Sequence, residues 1–306
     1  MQKIILNVDT GIDDALAIAY AALSPEIELV GIIASYGMAP VRYTYRNSKK
    51  IVGLFDKNVP VFPGSEKPFQ RERTYSGQIH GMDGLGNTLG DPGEVEFPEK
   101  DTFEWMNEQI LKYKEDLTIV TTGPLTDLAT FMQRYPDTVK LIHRVVTMGG
   151  AVATPGNVNK VAEANVHIDP EAAKMVLDSH LNITLIGLDV TRKTLLTSKD
   201  VERWKAKGTP NSLFFAEFTE YYLNAYKVLH PYLKGCALHD PLAVAVAGDP
   251  SLVQTLPMFI TVDVEKGFEG RTVENLNRSL PDQPNTNVAF TVDAERFMKK
   301  FYKYVI

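Results

Sequence analysis

The chain has 306 residues, of which 44% are hydrophobic and 23% are charged, and its formal net charge at pH 7 is −6. This is an ordinary globular composition, with enough residues to bury the core of one large α/β domain or two smaller domains. The acidic balance and the lack of a long Lys or Arg cluster exclude a nucleic acid polymer as the expected partner. The single cysteine, Cys236, excludes an internal disulfide and a thiolate metal site. We expect Cys236 to be a reduced, half-buried thiol.

The first predicted strand, over 4–8, leads through an acidic turn into a predicted helix over 16–23. Its apolar run favours a buried parallel strand. The run is too short for a signal sequence or a membrane span, so we expect a cytoplasmic protein without a membrane partner. The turn carries Asp9, Asp13 and Asp14 at the C-terminal end of the strand, where open α/β sheets bind their ligands.

The three carboxylates of this turn allow two interpretations. Asp is a favoured residue at a helix N-terminus, so one or two of the acids need no function. Three acids on one tight turn repel one another, and a bound cation is the simplest way to hold them together at neutral pH. We therefore expect metal or acid-base chemistry at this turn, with helix capping as the alternative.

The next part of the chain repeats the alternation of strand and helix. A strand over 28–35 precedes a helix over 41–55, a short strand follows over 59–64, and residues 65–100 form a polar loop rich in Gly and Pro. A loop of this length inside a compact domain is usually functional or mobile. It contains His80 close to several glycines, which indicates either a close approach of the backbone to a ligand or a flexible surface loop with an incidental histidine.

The alternation continues to the end of the chain. The predicted helices cover 103–113 and 128–134, one that begins at Pro170, a largely helical stretch over 193–232, and 242–247; the predicted strands cover 117–122, 145–150, 184–191, 253–262 and 287–292. An aromatic stripe in the long helical stretch includes Tyr222 and Tyr226, and a stripe at this spacing is typical of a core.

No linker or internal repeat divides the chain, so we predict one domain over residues 1–306. Its fold class is α/β, with a mostly parallel, Rossmann-like open sheet that is flanked by helices. The active site is expected at the C-terminal ends of the strands.

Several predicted strand ends meet at one rim of this sheet. Besides the acidic turn, they bring Thr122, Met148 and the pair His239 and Asp240 to the rim. The metal-binding groups at this rim are rich in oxygen and include no thiolate, and Ca²⁺ tolerates an irregular oxygen set better than Mg²⁺, so we predict Ca²⁺ with Mg²⁺ as the second choice. His239 alone is typical of a structural histidine and Asp240 of an N-cap. If Asp240 turns to the metal, however, His239 lies near the same pocket as a proton donor or ligand contact.

As a set, these motifs resemble the inosine-uridine preferring nucleoside hydrolases, enzymes that cleave the N-glycosidic bond of ribonucleosides. The resemblance covers nearly the whole chain. It rests on the acidic turn over 9–15 combined with the motifs over 122–126, 156–165 and 238–241. Each motif alone is a weak signal, whereas the combination is specific.

The resemblance implies how this rim would carry out the reaction, namely hydrolysis of a small-molecule nucleoside to free base and ribose. One Ca²⁺ ion per subunit would be held by Asp9, Asp14, Asp240 and the main-chain carbonyl of Thr122, together with a water molecule and the ribose 2′- and 3′-hydroxyl groups. Asp13 would be the general base that takes a proton from that water.

The resemblance also implies which residues meet the substrate. Asn157, Glu163 and Asn165 would bind ribose, Met148 would pack beneath the sugar, and Tyr222 and Tyr226 would contact the base. His239 and His80 are the candidates for the acid that activates the leaving group, with His80 arriving on closure of its loop. Because family members are commonly dimeric or tetrameric, we expect a homo-oligomer.

Two departures from the family pattern predict an altered sugar or base preference. Family members commonly have Gly-Asn after the second strand, whereas Gly37 is followed here by Met38, which cannot replace the hydrogen bonds of an amide. Asn47 lies too far along the next helix to be assumed a substitute. Ala164 stands where the family often has an aromatic residue, so we expect a roomier pocket.

Two other functions are alternatives. Phosphoryl transfer at an Asp and Mg²⁺ site predicts a second Asp two residues after Asp9, but Gly11 stands there, and the sequence has no Gly-rich phosphate loop with Lys and Ser or Thr. A non-catalytic or altered-specificity nucleoside or sugar-binding protein of the same fold is favoured by Met38. Asp13 and His239 argue against a pure binder, because binding alone needs no general base.

Overall fold

The computed structural model describes residues 1–275, 284 and 286–305. The strands are β1 (Gln2–Val8), β2 (Ile27–Ala34), β3 (Val61–Pro63), β4 (Leu117–Thr121), β5 (Arg144–Met148), β6 (Ile183–Ile186), β7 (Leu195–Leu196), β8 (Cys236–Ala237), β9 (Val253–Met258), β10 (Ile260–Val262), β11 (Thr272–Glu274) and β12 (Thr286–Val292). Eight of them form the central sheet, in the order β3-β2-β1-β4-β5-β6-β12-β9. All neighbouring pairs in that sheet are parallel except β12 and β9, which confirms the predicted mostly parallel, Rossmann-like sheet.

Helices cover both faces of the central sheet. The α-helices are α1 (Ile12–Leu23), α2 (Val41–Gly53), α3 (Thr102–Tyr113), α4 (Thr126–Arg134), α5 (Pro136–Val139), α6 (Ala164–Ile168), α7 (Pro170–Leu177), α8 (Leu188–Thr191), α9 (Ser198–Lys207), α10 (Pro210–Leu229), α11 (His239–Gly248) and α12 (Ala294–Val305). No helix in the described ranges is long and apolar enough to cross a membrane.

The core has two layers because successive residues of a strand point to opposite faces of the sheet. In β1, Ile4 and Leu6 pack with residues of α1, α10, α11 and α12, whereas Ile5 packs with residues of α3, α4 and α7. All three side chains are fully buried, as the continuous apolar run of a central parallel strand predicts. The single α/β domain predicted from the sequence is confirmed.

Several predicted elements differ from the structure. The predicted strand over 184–191 is wrong in its second half, because β6 ends at Ile186 and Gly187 is the N-cap of the short helix α8. The predicted strand over 253–262 is divided between β9 in the central sheet and β10, which pairs with β11. The run of β-branched and apolar residues suits either structure, so only tertiary contacts decide between them.

Two local expectations also need correction. Helix α1 begins at Ile12, earlier than predicted, so Asp13 and Asp14 belong to its first turn. Cys236 is a free thiol but is fully buried rather than half-buried, because it lies in β8, which pairs with β7, and belongs to the hydrophobic core.

Candidate active site

The candidate site lies where the order of the central strands reverses, between β1 and β4. In open α/β sheets this reversal leaves a crevice at the carboxyl ends of the strands, because the connections from the two strands run to opposite sides. Asp9 directly follows β1 and Thr122 directly follows β4, and both residues are buried. The main-chain N–H of Thr122 donates to the carbonyl of Asn7 at 2.8 Å, which ties the two strand ends together.

Two helices bring further carboxylates to this crevice. Asp13 and Asp14 lie in the first turn of α1, and Asp240 lies in the first turn of α11, which packs beside α1. One carboxylate oxygen from each of these three residues lies within 4.8 Å of the other two. Asp14 is fixed by the N–H of Gly11 at 2.9 Å and by the hydroxyl of Thr122 at 2.7 Å. The acids predicted from two distant motifs therefore form one buried cluster.

Burial and mutual repulsion disfavour the charged forms of these carboxylates. Burial, followed by the negative charge of Asp14, raises the pKa of Asp13 to about 7. Burial and the neighbouring acids also raise the pKa of Asp9 and Asp240 well above the usual range. Among the described residues no Lys or Arg forms an ion pair with any of the four. An oxygen-rich, buried set without a compensating cation of its own fits a hard metal ion.

The carbonyl oxygen of Thr122, a residue that lines the same pocket as the acids, has a side-chain partner. It accepts a hydrogen bond from the Asn165 side chain at 2.6 Å. A carbonyl oxygen has two lone pairs, so this bond leaves one lone pair for a second partner. The arrangement is compatible with the metal-ligand role that the resemblance implies for Thr122.

The residues predicted to bind sugar line the same pocket. Glu163 is the N-cap of α6 and accepts hydrogen bonds from the N–H groups of Gly150 at 3.0 Å and Asn165 at 2.9 Å. The Asn165 amide also lies 3.3 Å from the carbonyl of Met148. Asn157 accepts from the N–H of Ala164 at 2.9 Å. These contacts hold the polar side chains in place before any ligand binds, which reduces the entropic cost of binding.

Aromatic side chains from α10 form a third wall. The Tyr222 hydroxyl lies 3.4 Å from Asp13 Oδ2 and 3.3 Å from the Tyr226 hydroxyl. The Tyr226 hydroxyl in turn lies 2.7 Å from Nε2 of His239, and Thr191 holds Nδ1 of the same ring at 2.7 Å. Burial lowers the pKa of His239 to about 3, so the imidazole is neutral at pH 7. The aromatic stripe is therefore buried and faces the pocket at these two positions.

His80 is already seated in the pocket, without any closure of its loop. Its Nδ1 accepts a hydrogen bond from the N–H of Ile12 at 3.0 Å, and its ring packs on Tyr222 with centroids 5.2 Å apart. A Cβ at Gly11 would lie 2.7 Å from His80 Nδ1, so only glycine permits this approach. Burial lowers the pKa of His80 to about 3. Because Nδ1 accepts, we assign the proton of the neutral ring to Nε2.

A single buried aspartate holds the loop that carries His80. Asp83 Oδ1 accepts from the N–H groups of Leu85 and Asn87, each at 2.8 Å, and Oδ2 accepts from those of Leu89 at 2.8 Å and Gly90 at 3.0 Å. No helix or strand lies within 65–100, as predicted. The loop is nevertheless anchored around His80 by Asp83, and this anchoring was not predicted from the sequence. The available signal was an Asp close to several glycines.

Met38 contributes its main chain as well as its side chain. Its N–H donates to Asp9 Oδ2 at 2.8 Å, and its half-buried side chain faces the pocket. Asn47 is no substitute for the missing amide. Its side chain donates to the carbonyls of Thr10 and Asp83 at 3.2 and 2.8 Å and does not line the pocket.

All site residues predicted from the sequence line one pocket, which is open to solvent. They are Asp9, Asp13, Asp14, His80, Thr122, Met148, Asn157, Glu163, Asn165, Tyr222, Tyr226, His239 and Asp240. The sequence analysis missed Ile79 and His230, which also line this cavity. Neither residue belongs to a recognisable motif, although His230 directly follows α10, the helix of the aromatic stripe.

Comparison with known proteins identifies the class. A family model for inosine-uridine preferring nucleoside hydrolase matches residues 4–299. The pyrimidine-specific ribonucleoside hydrolase RihA of Escherichia coli (strain SE11) is 35% identical over 299 residues, which are 96% of this chain and 95% of RihA.

Solved structures agree with this match. The purine-preferring ribonucleoside hydrolase from Gardnerella vaginalis is 39% identical, with a TM-score of 0.94 over 99% of this chain and 98% of that chain. The inosine-uridine preferring nucleoside hydrolase from Bacillus anthracis is 27% identical, with a TM-score of 0.79 over 99% of both chains. The fold and these likenesses define an N-glycosyl hydrolase. The chain belongs to the inosine-uridine preferring nucleoside hydrolase family.

Proposed function

We propose that this chain hydrolyses the N-glycosidic bond of ribonucleosides to free base and ribose, with Asp13 as the general base. The observation that carries the proposal is the position of Asp13: its buried carboxylate lies between a cluster of acids and the Tyr222 hydroxyl, in the cavity that Asn157 and Asn165 also line. A group with a pKa near the working pH is the most effective general base.

We assign the metal site to Asp9, Asp14, Asp240 and the carbonyl of Thr122. The donor set is entirely oxygen and irregular, which favours Ca²⁺ over Mg²⁺. When bound, Ca²⁺ would act mainly as a template that orients water and the ribose hydroxyl groups. The carboxylates of these three residues and of Asp13 would also favour the positive charge that develops on the ribosyl ring as the glycosidic bond breaks.

Asp13 takes the proton of the attacking water. The water oxygen forms a bond to the anomeric carbon, the carbon–nitrogen bond breaks, and its electron pair leaves with the base. Asn157, Glu163 and Asn165 hold the sugar, and Met148 packs beneath it. Fixed positions for these groups lower the entropic cost of reaching the transition state.

Hydrogen bonds from the surrounding residues stabilise the leaving base, which takes its proton from solvent. His239 and His80 are both neutral at pH 7, because burial lowers the pKa of each to about 3. His80 therefore donates from Nε2, whereas His239, whose two nitrogens are held by Thr191 and Tyr226, acts on the departing base through the Tyr226 hydroxyl. Tyr222 and Tyr226 contact the base, and Tyr226 orients His239.

The test is a panel of inosine, adenosine, uridine and cytidine with wild type and Asp13→Ala, in Ca²⁺ and after chelation. Production of free ribose should disappear in the variant and after chelation. The ranking of the four nucleosides gives the base preference, a property in which the named relatives differ, since one is pyrimidine-specific and another purine-preferring. Ca²⁺-dependent binding of nucleoside without any turnover would instead favour the non-catalytic alternative.

A homo-oligomeric state, dimer or tetramer, and a cytoplasmic location stay predictions. Light scattering after size-exclusion chromatography tests the first, and fractionation of cells tests the second. A role in recycling free nucleosides would follow from the proposed reaction, since it releases the base for reuse.

A further inference from the structure

An arginine outside the acidic cluster contacts the turn that follows β2. The guanidinium of Arg73 donates to the carbonyl of Gly37 from Nε at 2.9 Å and from Nη2 at 2.7 Å, and to the carbonyl of Thr74 from Nη1 at 2.7 Å. Within residues 1–275, 284 and 286–305 no carboxylate forms an ion pair with Arg73. Its guanidinium therefore contacts two main-chain carbonyls, and two of its three hydrogen bonds go to Gly37.

The other end of the same peptide group contacts the acidic cluster. The carbonyl of Gly37 and the N–H of Met38 belong to one planar peptide unit and point in opposite directions. That N–H donates to Asp9 Oδ2 at 2.8 Å. The peptide unit is thus held between a guanidinium at its oxygen and a carboxylate at its hydrogen. Hydrogen bonds in such a chain polarise and strengthen one another.

Glycine at position 37 permits this contact. A Cβ at Gly37 would lie 2.0 Å from Asp9 Oδ2, so any other residue would displace either the peptide unit or the carboxylate. The N–H of Met38 occupies one oxygen of Asp9 and leaves the other as a donor for a cation. This contact uses the main chain, so it is independent of the side chain that replaces the family's usual amide.

We propose that Arg73 is a positioning residue for the metal site, which acts through the Gly37–Met38 peptide unit to hold the carboxylate of Asp9 in the orientation that binds a cation. The inference rests on the metal site of the proposed function. Partners that orient metal ligands typically contribute a factor of about 10 to 100 in metal affinity. A purely electrostatic effect of Arg73 has the opposite sign, because a nearby positive charge repels a cation.

The experiment is calorimetric titration of Ca²⁺ into the chelator-treated full chain. We expect Arg73→Met to raise the Ca²⁺ dissociation constant at least about tenfold. Arg73→Gln, which keeps a donor, and Arg73→Lys, which keeps the charge, should fall between Arg73→Met and wild type. Arg71→Met is the matched control, since Arg71 lies on the same loop but pairs with Glu171. Its Ca²⁺ affinity should equal that of wild type.

Unchanged or tighter Ca²⁺ binding by Arg73→Met would overturn the inference, as would an equal loss in Arg71→Met. If Arg73→Met does not fold by circular dichroism, Arg73→Gln and Arg73→Lys decide by the same criterion. Nucleoside turnover by wild type separates this inference from the proposed function. If wild type binds Ca²⁺ in a way that depends on Arg73 but does not hydrolyse any nucleoside, only the proposed function is refuted. If wild type hydrolyses nucleosides but does not bind Ca²⁺, only the inference and its metal site are refuted.

Discussion

The Tyr226 hydroxyl and Nε2 of His239 lie 2.7 Å apart, on two helices that are separated by the β8 strand in the sequence. Thr191 holds the opposite ring nitrogen of His239 at the same distance, 2.7 Å. Both nitrogens of the imidazole are therefore engaged, so the ring orientation is fixed. Loss of the Tyr226 hydroxyl would free one of them without removing the aromatic packing.

Tyr226→Phe should lower kcat for a ribonucleoside about tenfold, because His239 loses the hydroxyl through which it acts on the leaving base. The loss should be much smaller for p-nitrophenyl riboside, whose leaving group departs without protonation. Tyr221→Phe is the matched control, because its hydroxyl donates to the carbonyl of Gly77 in the loop. Equal losses with the two substrates would show that Tyr226 does not serve the leaving group.

Asp13→Asn should reduce the release of free ribose by about 10² to 10⁴, since the amide keeps the shape of the carboxylate but cannot accept the proton. Asp91→Asn, a change at an exposed aspartate, should leave the rate unchanged. Initial rates with saturating nucleoside measure both variants. A rate for Asp13→Asn within a factor of about three of wild type would assign the base to another residue.

Without a metal ion the contribution of Asp13 to the free energy of unfolding should fall as the pH rises from about 4 to about 7, opposite in sign to the contribution of the buried His80 and His239. Burial raises the pKa of Asp13 from 3.8 to about 7, so the folded state holds a proton in this range that the unfolded state releases. The free energy of unfolding falls with rising pH wherever the folded state binds more protons. Ca²⁺ should offset the repulsion, so it should raise the Tm more at about pH 8 than at about pH 5.

Thermal melts in chelator and in Ca²⁺ at the two pH values measure this difference. The Tm of wild type minus the Tm of Asp13→Asn should fall as the pH rises, because the variant lacks the titrating carboxyl but keeps the histidines. A Ca²⁺-induced rise in Tm that is the same at both pH values would contradict the assignment of the ion to the buried acids.

Asp83→Ala should loosen the loop that carries His80. The change leaves four main-chain N–H groups without their acceptor, and we expect a loss of about 2 kcal/mol or more in the free energy of unfolding. Amide hydrogen exchange over residues 79–90 should become faster, and KM should rise as His80 leaves the pocket. Asp91→Ala is the control, because Asp91 accepts from Gly93 alone among main-chain groups and is exposed. Unchanged exchange in Asp83→Ala would mean that other contacts hold the loop.

The parts of the fold that the sequence predicted are those specified by local patterns. The apolar run of β1 and the acidic turn after it identify a buried strand and a helix start without any knowledge of distant residues. The predicted strand over 184–191 failed because Gly187 and Asp189 begin a helix there, and Asp189 accepts from the N–H groups of Val152 and Ala153, which are distant in the sequence. Local propensity does not encode such a contact.

The same limit applies to the site. Carboxylates at motif positions were recognisable, and the structure brings Asp13, Asp14 and Asp240 together. The N–H of Met38 was not recognisable as a partner of Asp9, because every residue except proline has a main-chain donor and the sequence carries no mark of its use. The contact between Arg73 and Gly37 was missed for the same reason.

Because α1 packs beside α11, the proposed ion would also stabilise the fold by linking two distant parts of the chain. Asp14 lies near the beginning of the sequence and Asp240 lies in its last quarter, so an ion that both residues hold would cross-link distant points of one chain. Such a link restricts the unfolded ensemble and contributes most when the closed loop is long. A chain whose only cysteine is buried cannot form an internal disulfide, so the ion would be its non-covalent counterpart. Removal of calcium would then expose the chain to proteases as well as stop the chemistry.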